Sequence, residues 1–315
     1  PDGTVVATNS AKGANATANY TVSGNGSYTF KITDMYDNVT TQTVNVSKID
    51  KILPSATTKG NPVDWTNQNQ TLTITGSDAG GSGFKQIKLP SGVIVAGSSA
   101  TYTVSQNGSY SFVVYDNAGN SRTISEQVTK IDKEVPGGGI LGNPVNWTNK
   151  DATLTLNAAD TGGAGVKGVY LPNGTFVSTT TTASYVATQN GTYTFRTVDF
   201  AGNETSVSVT VTKIDKVAPT VASVGGNPTQ WTNQSQTLRV TGTDALSGVT
   251  TIKRPDNTVI NGVVTDYTVH QNGGYVFTLT DAAGNSATYT VDVTKIDKGN
   301  PSQSSVNISV NNSQQ

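Results

Sequence analysis

The tetrapeptide Lys-Ile-Asp-Lys occurs four times, starting at Lys48, Lys130, Lys213 and Lys295, at intervals of 82, 83 and 82 residues. A fixed period of this length means that the chain is a string of similar units, each built to stack on its neighbours. Other motifs keep the same phase. Trp65, Trp147 and Trp231 each open a Trp-Thr-Asn triplet. Gly-x-Tyr-x-Phe recurs at Gly26-Tyr28-Phe30, Gly108-Tyr110-Phe112, Gly191-Tyr193-Phe195 and Gly273-Tyr275-Phe277. Each is followed by a turn led by aspartate: Asp34 to Asn38, Asp116 to Asn120, Asp199 to Asn203, and Asp281 to Asn285. The last three turns read Asp-x-Ala-Gly-Asn, whereas the first reads Asp-Met-Tyr-Asp-Asn.

Phasing these motifs divides the chain into the second half of a repeat (1–51), three complete repeats (52–133, 134–216 and 217–298) and the start of a further repeat or tail (299–315). In the last segment Val306, Ile308 and Val310 alternate as in a strand. The half-repeat lacks its first strands. Either they precede Pro1, or another chain donates them, which would make a self-assembling filament subunit.

Composition narrows the functional classes. The 315 residues include no cysteine and one histidine, carry a net charge of −1, and only 13% are charged. A near-neutral chain without basic clusters is poorly suited to nucleic acid or to an anionic membrane. No apolar run approaches the roughly 18 residues of a membrane-spanning helix. The lack of cysteine excludes a disulfide framework and thiolate metal sites.

Strand patterns dominate. Thr71-Leu-Thr-Ile-Thr alternates polar and apolar residues, as do the segments around Tyr110, Phe112 and Val114 and around Val207, Val209 and Val211. Period-2 alternation puts one face in a core and one in water, the signature of antiparallel sheets. Asn-Gly at Asn25, Asn107, Asn190 and Asn272 predicts tight turns with positive φ. Six or seven short strands per repeat predict an all-β chain of tandem immunoglobulin-like antiparallel β-sandwiches. The Tyr/Phe pairs and the tryptophans are expected in the cores. Short linkers from Lys-Ile-Asp-Lys to Pro54, Pro136, Pro219 and Pro301 predict restricted joints and an elongated rod. Glu126 breaks the pattern, because it aligns with Val44, Val209 and Val291. A carboxylate at an inward position is costly unless paired. It is expected at a sheet edge reaching solvent, or else in an isopeptide bond with a nearby lysine.

In the usual order of immunoglobulin strands, the entering linker, the B–C loop and the F–G loop meet at one end. That brings together Asp50, Asp78 and Asp116; Asp132, Asp160 and Asp199; and Asp215, Asp244 and Asp281. Asn120, Asn203 and Asn285 would each add an amide oxygen. Clustered carboxylates repel one another, and a hard cation relieves this. Ca²⁺ takes about 6–8 oxygen ligands in flexible geometry, whereas Mg²⁺ demands a stricter octahedron. The alternative is that these are ordinary turn residues, since Asp, Asn and Gly populate turns and Asp caps backbone N–H groups.

The ordered set Trp-Thr-Asn, Asp-x-x-Ser/Gly-Gly, Asn-Gly-x-Tyr-x-Phe, Asp-x-Ala-Gly-Asn and Ile-Asp-Lys-x-x-Pro resembles the bacterial immunoglobulin-like repeats of large cell-surface proteins, such as adhesin stalks and surface-layer proteins. The resemblance covers essentially the whole chain. It implies an extracellular location, at the bacterial surface or secreted, and calcium at the repeat junctions; the diverged first turn departs from the pattern. The expected function is a non-enzymatic structural stalk or fibre segment. Its partners would be neighbouring repeats or copies of the same protein. An alternative is an accessory module of a secreted enzyme that binds cell-wall or host glycans. An enzyme is not expected. His270 has no counterpart in the other repeats, no nucleotide or nucleophile motif is present, and the aspartates recur in every repeat as a joint would require.

Overall fold

The structure, a computed structural model, describes residues 1–6 and 17–302. The segment holding Val306, Ile308 and Val310 lies outside the described residues. The described chain is all β, with antiparallel sheets and no helix. It divides into two compact units. One comprises Pro1–Glu134, Gly162–Ala164 and Phe200–Asn203; the other comprises Val135–Thr161, Gly165–Asp199 and Glu204–Gln315.

The first unit opens with a hairpin of β1 (Gly26–Thr33) and β2 (Val39–Val46). Seven strands follow: β3 (Ser55–Lys59), β4 (Gln70–Ser77), β5 (Phe84–Lys88), β6 (Ile94–Ala96), β7 (Ser99–Val104), β8 (Gly108–Asp116) and β9 (Ser121–Val128). They form a three-stranded sheet ordered β3-β4-β7 and a four-stranded sheet ordered β6-β5-β8-β9. Both sheets feed one apolar cluster. Leu72 and Ile74 come from the first sheet, and Ile87, Phe112, Val114 and Val128 from the second, all fully buried. Each such side chain contributes about 1.5–3 kcal/mol.

The second unit repeats this pattern twice. One set is β10 (Gly137–Leu141), β11 (Ala152–Ala159), β12 (Val166–Tyr170), β13 (Phe176–Ser178), β14 (Thr182–Ala187), β15 (Gly191–Asp199) and β16 (Glu204–Val211). The other is β17 (Thr220–Gly225), β18 (Gln236–Thr243), β19 (Val249–Lys253), β20 (Val259–Asn261), β21 (Val264–Val269), β22 (Gly273–Asp281) and β23 (Ser286–Val293). Their sheets are ordered β10-β11-β14 with β13-β12-β15-β16, and β17-β18-β21 with β20-β19-β22-β23. Each set has its own core, around Leu154, Leu156 and Phe195 in one and around Leu238, Val240 and Phe277 in the other.

The alternating apolar positions lie in these cores as expected, but two motif assignments change. The tryptophans are not core residues. Trp231 is 63% exposed, and Trp65 and Trp147 are half-buried. Their rings instead carry the first lysine of each Lys-Ile-Asp-Lys, with Lys130, Lys213 and Lys295 at 5.3, 4.8 and 5.0 Å from the ring centroids. Stacking a cation on an indole face offsets its exposure.

The Asn-Gly pairs are not positive-φ hairpin turns, since none of these asparagines adopts positive φ. Their side chains act as clamps on the isoleucine of Lys-Ile-Asp-Lys. Asn107 Oδ1 accepts the Ile131 N–H at 2.8 Å, and its Nδ2 donates to the Ile131 carbonyl at 2.9 Å. Asn190 holds Ile214 in the same way, and Asn25 holds Ile49. On its other side Ile131 bridges Thr66, as Ile214 bridges Thr148 and Ile296 bridges Thr232. Ile131, Ile214 and Ile296, buried to 4–5% exposure, thus plug one end of each core. The aspartate that follows each isoleucine is directed into the next connection.

Candidate metal centres at the strand ends

Each acidic set is assembled by the end of a strand, a glycine-rich loop and the entering linker. In the first unit Asp50 lies in the linker, Asp78 follows β4 and Asp116 ends β8. One carboxylate oxygen from each lies within 4.8 Å of the other two. Asp215, Asp244 and Asp281 come together in the same way in the second unit. The remaining predicted set is divided: Asp132 and Asn203 belong to the first unit, Asp160 and Asp199 to the second. Asp132 Oδ2 accepts the Ala164 N–H at 2.8 Å, Asn203 Nδ2 donates to the Asp132 carbonyl at 3.0 Å, and Asp160 Oδ2 accepts the Gly165 N–H at 2.7 Å.

Local chemistry explains the positions. The linker aspartates form Asx turns, with Oδ1 accepting the N–H two residues on: Ile52 for Asp50 and Val217 for Asp215, both at 3.0 Å. Their second oxygens reach the loop, where Ser82 and Ser247 N–H groups donate at 3.0 Å. This close approach requires glycine at position 80, because a Cβ there would lie 2.0 Å from Asp50 Oδ1. A bulge between Phe84 and Gln86, and one between Val249 and Thr251, precedes the last pairs, Phe84 with Asp116 and Val249 with Asp281, which leaves both carboxylates at the strand tips yet buried.

Asn120 and Asn285 behave differently from expectation. Asn120 Nδ2 donates to Asp116 Oδ2 at 2.7 Å and to the carbonyls of Asp50 and Ile52 at 3.2 and 3.3 Å. Asn285 makes the same bonds to Asp281, Asp215 and Val217. Each asparagine therefore turns its amide nitrogen, not its oxygen, toward the cluster and ties the linker to the strand set that follows. Sequence spacing supplies the proximity of Asn and Asp but not which end of the amide faces inward.

The electrostatics favour the ionised forms of Asp50 and Asp215. The Ser82 hydroxyl beside Asp50, with the N–H groups of Ile52 and Ser82, holds its carboxyl below the ordinary range. Burial pushes Asp215 upward, but the Ser247 side chain and the N–H groups of Val217 and Ser247 outweigh it, and the net shift is downward. None of the ion pairs among the described residues involves these aspartates. Neutral N–H and O–H dipoles, rather than cations, face them. Each carboxylate offers about four lone-pair sites. The donor set is all oxygen, which fits a hard cation by type; the same groups also make a self-contained turn network.

Other singled-out residues resolve plainly. Glu126 lies on β9, the edge strand of its sheet, as expected, and is half-buried. It accepts hydrogen bonds from Thr58 Oγ1 and, at 2.7 Å, from Asn61 Nδ2, joining β9 to β3 and its exit. No lysine pairs with it among the described residues. His270 is exposed, with Nδ1 2.8 Å from Ser235 Oγ.

No protein-family model and no curated protein matches the chain. Among solved structures it is similar to dimeric latent PorU from Porphyromonas gingivalis, at 13% identity and a TM-score of 0.19, over 73% of this chain and 32% of that one. It is also similar to Salmonella alpha-2-macroglobulin reacted with methylamine, at 10% identity and a TM-score of 0.20, over 87% of this chain and 25% of that one. The chain thus spans a third or less of the length of these proteins.

Proposed function

We propose that the chain is a non-enzymatic structural segment of a bacterial cell-surface protein, built from tandem immunoglobulin-like β-sandwiches whose joints are stiffened by Ca²⁺. One observation carries this reading: each linker is fastened to the strand set it enters. Asp215 is held by the Ser247 N–H, and its carbonyl by Asn285 Nδ2; Asp50 is held by Ser82 and Asn120 in the same manner. A repeated fastening at the joint suits a protein whose length scales with copy number. The Tyr28, Tyr110, Tyr193 and Tyr275 hydroxyls, each donating to the carbonyl four residues upstream, support the immunoglobulin-like assignment. So do the sheets of three and four strands that share one core.

Asp50, Asp78 and Asp116, and Asp215, Asp244 and Asp281, would hold the ion, which would neutralise their mutual repulsion and bind linker, loop and strand end together. Limited trypsin digestion at the exposed Lys51 and Lys216 of the linkers tests this. Cleavage there is expected to slow in millimolar Ca²⁺ and to accelerate after chelation; equal rates would argue for joints that bind no ion.

A further inference from the structure

One strand set carries a surface feature that the others lack. On the outer face of the β13-β12-β15-β16 sheet, Phe176, Tyr170 and Arg196 stand in register across three strands, and Glu204 on β16 lies diagonally beside Arg196, whose direct partner is Ser206. Strand alternation puts them there, because their neighbours Val169, Phe195 and Thr197 are fully buried on the other face. The Phe176 and Tyr170 ring centroids are 4.7 Å apart. The Arg196 guanidinium lies 3.8 Å from the Tyr170 centroid and pairs with Glu204. Phe176 lies over Gly168, where a Cβ would come within 2.6 Å of the ring.

Sheet register gives the equivalent residues elsewhere. The positions of Gly168, Tyr170, Phe176, Arg196 and Glu204 are Gln86, Lys88, Ile94, Val113 and Ser121 in one set. They are Thr251, Lys253, Val259, Thr278 and Ser286 in the other. Five positions differ together, while the core and the joint motifs are repeated. The row is also accessible: Phe176 is 39% exposed, and the side chains of Arg196 and Glu204 are 38% and 45% exposed.

We propose that this row binds an uncharged polysaccharide. The free face of the Phe176 ring suits the apolar C–H face of a sugar ring, and Arg196 and Glu204 offer the adjacent donors and acceptors that sugar hydroxyls need. The Arg–Glu pair cancels its own charge, which disfavours a polyanion or polycation. The row spans about 14 Å across the sheet, from three inter-strand spacings, and at most one diagonal step along it. A protein interface needs about 800 Å² per partner, so the row is too small to form the core of one. The proposal does not depend on the calcium reading of the joints.

The full chain would be tested for retention on cellulose, chitin, mannan and β-1,3-glucan, with alginate as the anionic control. Retention on at least one neutral polymer and not on alginate is expected. Phe176→Val, and Arg196→Thr with Glu204→Ser, install residues from the 220–293 set. Each should weaken binding at least about tenfold, or about 1.4 kcal/mol, with an unchanged unfolding transition. Should Phe176→Val fail to fold, the double variant still decides, since its residues lie outside the core. Retention on no neutral polymer, equal retention on alginate, or unaltered binding by the folded variants would overturn the proposal.

Discussion

Asn190 shows how single residues hold this architecture together. Its amide closes two hydrogen bonds on Ile214, a residue 24 positions away, and so seals one end of a core. Asn190→Ala leaves a buried N–H and carbonyl unpaired and is expected to cost about 1–3 kcal/mol, measured by urea denaturation. The Asn-Gly motif was visible in the sequence, but its role was not. Local pattern suggests a turn, whereas the true partner is distant along the chain.

Glu126 gives a second residue-level prediction. Thr58 and Glu126 occupy the places of Ile140 with Val209 and of Val224 with Val291, pairs that pack on their cores. Thr58→Ile combined with Glu126→Val should leave stability unchanged or raised, because replacing a half-buried polar pair by an apolar one that packs on the core is often neutral or favourable. A large loss of stability by thermal melt would show that the polar pair is needed.

At the scale of elements, the strands were the most legible feature, because period-2 alternation reports directly which face is buried. The tryptophans were misjudged because hydrophobicity alone does not distinguish a core ring from one lying beneath a lysine. The bulges that precede the pairs made by Asp116 and Asp281 have no local sequence signal, since a bulge is defined by two strands together. The acidic turns carry a pH dependence. Asp50 and Asp215 are held below their ordinary value of 3.8. Their contribution is therefore complete above the unfolded-state value and lost as pH falls through the folded-state one. In chelator, stability should be level from neutrality to about pH 5 and decline in more acidic buffer. Asp215→Asn should flatten that decline; an equally steep decline in the variant would assign the effect to other groups.

At the scale of the whole molecule, the 82- and 83-residue spacing foretold a recurring unit, and three seven-stranded sets with separate cores recur in the structure. The same spacing and the topology of the loops foretold the meeting of Asp50, Asp78 and Asp116 and of Asp215, Asp244 and Asp281. The orientation of the asparagines was hidden, because it depends on which linker carbonyls the fold presents to them. A chain organised in this way concentrates its adjustable chemistry at the joints, and an ion there would change the stability of whole strand sets rather than of single loops.

Calorimetric titration of the chelator-treated chain with Ca²⁺, paired with its thermal melt, tests that claim most directly. The account predicts saturable binding that weakens in Asp281→Asn and a higher melting temperature, with about 2.7 kcal/mol of added stability when free Ca²⁺ reaches about 100 times the dissociation constant. No binding heat together with an unmoved melt would contradict it and leave the aspartates as turn residues.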